Sequence, residues 1–128
     1  MMEDGAARGP RDLVERTFVF ARNVRGFVKR VPKSISNIED IRQLVRSSGS
    51  VAGNYIEAKE ACSKKDYLLH IKICRKESRE SRLWLRLMDC ENNASLSDTR
   101  DSLAREAHEL TLIFSAIVLR GSSPEGQK

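Results

Sequence analysis

A stretch of small residues within a helical pattern constrains the fold most. Residues 46–61 read RSSGSVAGNYIEAKEA, and Gly49 and Gly53 lie four positions apart, on one face of a helix. Each glycine inside a helix costs about 1 kcal/mol relative to alanine, so the pair indicates a closely approaching backbone. We therefore predict tight helix–helix packing at Gly49 and Gly53, against the segment around Ser78 and Ser81. A ligand or catalytic strip is the alternative.

The composition favours one all-helical domain. The 128 residues suffice for a single core, and with aromatics at only 5% the apolar residues are mostly aliphatic, which suits helices. Three cysteines without a C-x-x-C pair predict neither a disulfide framework nor a zinc site, and reduced thiols indicate a cytoplasmic protein. The strongly apolar runs are too short to cross a bilayer, so no membrane partner is expected.

Apolar residues recur every three or four positions in four segments, which predicts four helices. We expect them at about 12–31, 37–60, 64–90 and 98–120, between a disordered leader at 1–11 and a flexible tail at 121–128. Ser36 with Glu39, and Ser63 with Asp66, have the spacing of a capping box. Because the links are short, the expected fold is all-α, an antiparallel up-down-up-down four-helix bundle.

The same periodicity predicts which residues face the core. In the first helix these are Val14, Phe18, Ala21, Val24 or Arg25, Val28 and Val31. In the third they are Tyr67, Ile71, Cys74, Ser78, Ser81, Leu85 and Met88, and in the last they are Leu103, Ala107, Leu110, Phe114 and Ile117.

Basic residues follow one face of two predicted helices, and the net charge is +5. The third helix carries Lys65, Lys72, Arg75, Arg79, Arg82 and Arg86, and the first carries Arg22, Arg25, Lys29 and Arg30. Such rows can neutralise a phosphate backbone, so they are the candidate nucleic-acid-binding residues. The alternative is a solvated face in which Glu77 and Glu80 pair with nearby cations of the same helix.

Sequence signals for catalysis, metals or cofactors are missing. His70 and His108 do not have the spacing of metal ligands, and residues 49–53 lack the Gly-Lys-Ser/Thr ending of a phosphate loop. Glu57 and Glu80 could form an acid/base pair, but Arg46 and Asn54 offer them a structural hydrogen-bond network instead. We therefore expect a non-enzymatic protein without a cofactor.

Three blocks carry a family resemblance: residues 43–58 (QLVRSSGSVAGNYIEA), 63–67 (SKKDY) and 73–87 (ICRKESRESRLWLRL). Together they resemble the bacterial four-helix-bundle proteins of the 23S rRNA intervening-sequence family, over about residues 12–120. Many members have Glu-Gly where this chain has Glu57 and Ala58. The second helix is therefore expected to run longer here.

The resemblance implies a left-handed bundle that commonly assembles into a ring of five subunits. It also implies similarity to accessory proteins of diversity-generating retroelements, which partner a reverse transcriptase and RNA. Carried over residue by residue, it marks Arg46, Asn54, Glu57 and Glu80 as a structural polar core. Two functions remain open: binding of structured RNA or of DNA, and a protein adaptor, for example for a reverse transcriptase.

Overall fold

The computed structural model describes residues 12–121, which form four helices and no strand. Helix α1 spans Leu13–Val28, α2 Ile35–Lys59, α3 Lys64–Leu87 and α4 Ala94–Gly121. The predicted leader at 1–11 and residues 122–128 of the predicted tail lie outside the described residues. Helices α1 and α3 end three residues earlier than predicted, and Gly121 belongs to α4 rather than to the tail. None of the four helices is long and apolar enough to span a membrane.

Helix α2 begins at Ile35 because Ser34, rather than Ser36, caps it. The Ser34 side chain accepts a hydrogen bond from the backbone N–H of Asn37 at 3.2 Å. This earlier start places Asn37 in the first turn, where its fully buried side chain bonds backbone groups of Pro32 and Asp89. The cap predicted at Ser36 is therefore wrong, and the tertiary hydrogen bonds of Asn37 favour the cap at Ser34.

The starts of α3 and α4 also follow from their caps. Ser63 accepts a hydrogen bond from the N–H of Asp66 at 3.0 Å, as its spacing predicts. Asn93 does the same for Leu96, also at 3.0 Å, so α4 begins at Ala94 and not near residue 98. The loop expected over residues 95–97 is therefore helical.

All four helices contribute to one hydrophobic core. The inward faces predicted for α3 and α4 are buried, apart from a partly buried Tyr67. The face predicted for α1 is wrong at two positions, since Val14 and Phe18 are 42% and 51% exposed. The buried residues of α1 include Phe20 and Phe27 instead. Burying these two phenylalanines removes a larger apolar area from water than burying the predicted residues Val14 and Phe18 would.

Each helix packs mainly on two neighbours. Helix α2 contacts α1 and α3, and α4 contacts the same two helices, so α1 and α3 lie diagonally opposite each other. Residue numbers that rise along α2 fall along the facing side of α3, since Ser47 meets Ser81 and Asn54 meets His70. The outer faces of α1 and α3 therefore belong to opposite sides of the bundle.

Candidate nucleic-acid interface

Within residues 12–121, no neighbouring backbone packs against the glycine pair of α2. A Cβ atom added at Gly53 would meet nothing within 4 Å, and one added at Gly49 would lie 3.1 Å from Nη2 of Arg25. The predicted close packing at Gly49 and Gly53 is therefore wrong for the described chain. Helices α2 and α3 approach each other through serines instead, with 2.7 Å between the buried Oγ atoms of Ser47 and Ser81.

Arg25 links α1 to α2 and is not a free surface cation. Its guanidinium donates hydrogen bonds to the carbonyl oxygen of Ala21 at 2.9 Å, to Oγ of Ser48 at 3.4 Å and to the carbonyl oxygen of Val45 at 3.3 Å. The missing side chain of Gly49 gives this guanidinium its space. We therefore remove Arg25 from the candidate nucleic-acid-binding residues.

A carboxylate cluster of α3 faces Arg46 of α2. Nη2 of Arg46 lies 3.4 Å from Oε1 of Glu77 and 3.8 Å from Oε1 of Glu80. Only 7% of the Glu77 side chain is exposed, and Lys76 approaches its other oxygen at 3.9 Å. The structure thus brings Arg46 and Glu80 together as predicted. The buried carboxylate, however, is Glu77.

Asn54 belongs to a separate polar chain. Its Oδ1 lies 3.0 Å from Nδ1 of His70, and its Nδ2 donates hydrogen bonds to the carbonyl oxygen and Oγ of Ser50, both at 3.0 Å. Nε2 of His70 lies 3.8 Å from Asp66. The prediction for Glu57 is wrong, because it lies further around α2, exposed and without a side-chain partner among the described residues.

Charge is divided between the two flanks of α3. Glu77 and Glu80 face α2 through Arg46, whereas Ser78 faces α4 through a 3.0 Å hydrogen bond with Thr111. On the α4 side lie the six predicted cations, which we call the basic stripe: Lys65, Lys72, Arg75, Arg79, Arg82 and Arg86. Their spacing of three, four and seven residues keeps them on one helical flank about 30 Å long.

No side chain of the basic stripe has an ion-pair or hydrogen-bond partner within residues 12–121. The carboxylates that could pair with Arg79 and Arg82 along α3 are instead directed to Arg46. Arg75 and Arg82 are half-buried, and the other four residues are exposed.

The cations of α1 do not join this surface, because α1 lies diagonally across the bundle from α3. Arg22 lies over the ring of Phe18, 5.5 Å from its centroid, and Arg30 donates hydrogen bonds to α4, one of them to Thr99 at 3.3 Å. Lys29 is exposed. The predicted binding set thus forms two separated surfaces, of which only the basic stripe is continuous.

An open groove of about 410 Å³ runs beside the stripe, between α3 and α4. Arg82 and Arg86 line it from α3, and Arg105 and His108 line it from α4. Neither α4 residue is among the binding candidates that the sequence predicts. Helical spacing assigns residues to a face of one helix, but it does not give the register between two helices.

A family described as "23S rRNA-intervening sequence protein" matches residues 11–116 of the sequence. That range includes α1, α2 and α3 completely and most of α4. The chain belongs to this family. The resemblance carried by the blocks at 43–58, 63–67 and 73–87 is thereby confirmed.

The fold of this intervening-sequence-family protein also occurs in a known crystal structure. That structure is of a protein of unknown function from the S23 ribosomal protein family of Bacteroides thetaiotaomicron. The TM-score is 0.70 and the sequence identity 22%, over 82% of this chain and 96% of that one. Identity this low shows a shared fold alone. A comparison with curated proteins gave no match.

The three cysteines of this family member differ in their surroundings. Cys62 is exposed, whereas Cys74 and Cys90 are buried, and all three are free thiols. Burial raises the pKa of the Cys74 thiol to about 12. Across residues 12–121, no group of three or more His, Cys, Asp or Glu side chains is arranged to hold a metal ion.

Proposed function

We propose that this intervening-sequence-family protein binds nucleic acid, structured RNA above all, through backbone phosphates along the basic stripe, without catalysing a reaction. The proposal rests on one observation, namely that the cations of the basic stripe lack ion-pair and hydrogen-bond partners within residues 12–121. The α3 carboxylates pair with Arg46 on the α2 side, so six cations on the α4 side have no partner within the described chain. A polyanion supplies the missing negative charge.

Free energy of binding would come mainly from counterion release. A nucleic acid carries condensed cations, and each protein cation that replaces one at a phosphate contributes about 0.7 to 0.9 to the slope of log K against log salt. Paired cations contribute less, because the phosphate must compete with their carboxylate. The separation of the carboxylates and the basic stripe onto opposite flanks of α3 therefore favours nucleic-acid binding over a solvated, internally paired face.

The aromatic side chains favour contacts with the backbone rather than with bases. Trp84 lies on the flank of α3 away from the stripe, and its Nε1 is buried without a partner in the described part of the chain. Phe18, on α1, belongs to the opposite side of the bundle. With no aromatic platform for unstacked bases, the stripe suits the regular phosphates of an RNA duplex and tolerates any sequence.

The resemblance further supports a left-handed bundle and a ring-shaped homo-oligomer, a pentamer. The short links support an up-down-up-down topology, and the three cysteines without a C-x-x-C pair support a cytoplasmic location. Exposed apolar residues offer surface that a second copy can cover: Phe18 is 51% exposed on α1 and Ile56 50% exposed on α2. A ring would repeat the basic stripe in each subunit and strengthen its attraction for a polyanion.

Reversing the charge of the stripe tests the proposal. A variant with Glu at four stripe positions, Lys72, Arg75, Arg79 and Arg82, should lose binding to an RNA duplex at low salt. A matched control reverses four cations of α1 and α2, namely Arg22, Lys29, Arg42 and Lys59. The proposal predicts that the control retains most of the binding. Equal binding by both variants, with intact helicity, would refute it.

A protein adaptor is the second candidate, in line with the resemblance to retroelement accessory proteins. Leu112 and Leu119 of α4 are 55% and 74% exposed and lie two helical turns apart, so they form an exposed apolar strip. Binding to phosphates does not require such a strip. A reverse transcriptase encoded beside this chain is the partner to test. If Leu112→Ser/Leu119→Ser releases such an enzyme and leaves RNA binding unchanged, the adaptor role is supported. If the enzyme never binds the wild type, the adaptor role fails.

A further inference from the structure

The groove between α3 and α4 brings basic side chains of two helices together. Arg82 and Arg86 are one turn apart on α3, and Arg105 and His108 are one turn apart on α4. The small side chain of Ala104 also lines the groove. The groove thus adds two side chains of α4 to the end of the basic stripe, which by itself belongs to α3 alone.

Two acidic residues also line the groove, but other arginines engage both. Oδ1 of Asp101 lies 3.0 Å from Nε of its neighbour Arg100, and Oε1 of Glu109 lies 3.0 Å from Nη2 of Arg16 on α1. Neither carboxylate is paired with Arg105. Arg105 and His108 are exposed and have no side-chain partner among residues 12–121. The groove therefore keeps an excess of positive charge and unused hydrogen-bond donors.

We infer that this groove binds one phosphodiester group of the nucleic acid, so that the bound strand crosses from the basic stripe onto α4 at Arg105 and His108. This inference rests on the proposed function. Guanidinium groups form paired hydrogen bonds with the oxygens of a phosphate, and a neutral or charged imidazole can donate a further one. Arg105 and His108 are then binding residues that lie outside the stripe.

The crossing distinguishes this arrangement from a strand that simply follows α3. A strand confined to the stripe would contact Arg82 and Arg86 and leave α4 free. A strand held in the groove contacts both helices at one phosphate, which fixes its position along the bundle. Loss of an α4 cation then weakens binding as much as loss of a stripe cation.

Single neutral substitutions test the inference in the full chain. Arg105→Gln should weaken binding to an RNA duplex about tenfold, because a charge-assisted hydrogen bond is lost, and should reduce the salt slope by about one. His108→Gln should also weaken binding, by a smaller factor. The matched control is Lys59→Gln, which removes one exposed cation of α2 that, like Arg105, has no side-chain partner among residues 12–121, and it should leave both quantities unchanged.

The outcomes separate the inference from the proposed function. If Arg105→Gln and His108→Gln bind as the wild type does while the four-site stripe variant fails, the inference is overturned and the proposed function stands. If the stripe variant also binds normally, both fail. Inorganic phosphate provides the remaining comparison. If it saturates the groove at submillimolar concentration and displaces the RNA, the groove is a site for free phosphate and the inference is wrong.

Discussion

Asn37 joins three parts of the chain through a single buried side chain, so its replacement should be among the most damaging in the bundle. Its Nδ2 donates hydrogen bonds to the carbonyl oxygens of Pro32 and Asp89, both at 2.9 Å, and its Oδ1 accepts one from the N–H of Asp89 at 3.0 Å. These bonds tie the α1–α2 link and the end of α3 to the first turn of α2.

The expected cost of Asn37→Ala follows from these contacts. Each hydrogen bond contributes about 1 kcal/mol net, so removal of three should lower the free energy of unfolding by about 3 kcal/mol. The backbone groups of Pro32 and Asp89 also lose their partner in a part-buried place, which adds to the cost. For a chain of this size, the loss corresponds to a fall in Tm of about 10 °C.

Thermal and urea unfolding followed by circular dichroism measure this effect. The control is Asn23→Ala, since Asn23 is an exposed residue of α1 without a side-chain hydrogen bond in the described chain, and its replacement should change Tm by about 2 °C at most. A similarly small change for Asn37→Ala would show that the three hydrogen bonds do not hold the bundle together.

Three further predictions concern single side chains. Gly53→Ala should raise the free energy of unfolding by up to about 1 kcal/mol in urea titrations, because the added Cβ meets nothing and alanine favours a helix; a loss of stability would mean that another backbone lies there. A thiol reagent at about pH 8 should modify Cys62 quickly and the buried Cys74 only after unfolding, since the pKa of Cys74 is raised to about 12; rapid modification of Cys74 would contradict its burial. Burial and the charge of Glu39 raise the pKa of the Asp40 carboxyl, so the folded state holds its proton more tightly than the unfolded state and the ionised form is penalised. Asp40→Asn should therefore raise Tm at about pH 7, and this gain should vanish near pH 3, where the carboxyl is protonated in both states; a gain that persists at low pH would contradict this origin.

Patterns within one helix could be interpreted from the sequence, because they depend only on helical spacing. The buried faces of α3 and α4 and the cap at Ser63 follow from such patterns, as does the family. The basic stripe is also visible in the sequence as a row. Its unpaired state is not, since it depends on Arg46, which belongs to another helix.

Contacts between helices could not be predicted from the sequence. Arg105 and His108 could not be assigned to the groove without the register of α4 on α3. Gly49 appeared to mark a backbone contact, yet it makes space for the guanidinium of Arg25 from α1. A glycine shows that a side chain is missing, but not which group occupies the space. In the same way, the choice of Ser34 rather than Ser36 as the cap of α2 depends on the hydrogen bonds between Asn37 and the distant Asp89.

The salt dependence of binding tests the central claim most directly. Duplex RNA of mixed sequence is titrated with the wild-type protein and the four-site stripe variant between about 50 and 200 mM salt, the range over which counterion release changes affinity steeply. For the wild type we expect a slope of log K against log salt at least as steep as about −4 to −5, which the six cations of the stripe alone would give, and for the variant we expect no measurable binding. A wild-type slope near zero, or the same slope for both proteins, would contradict this claim.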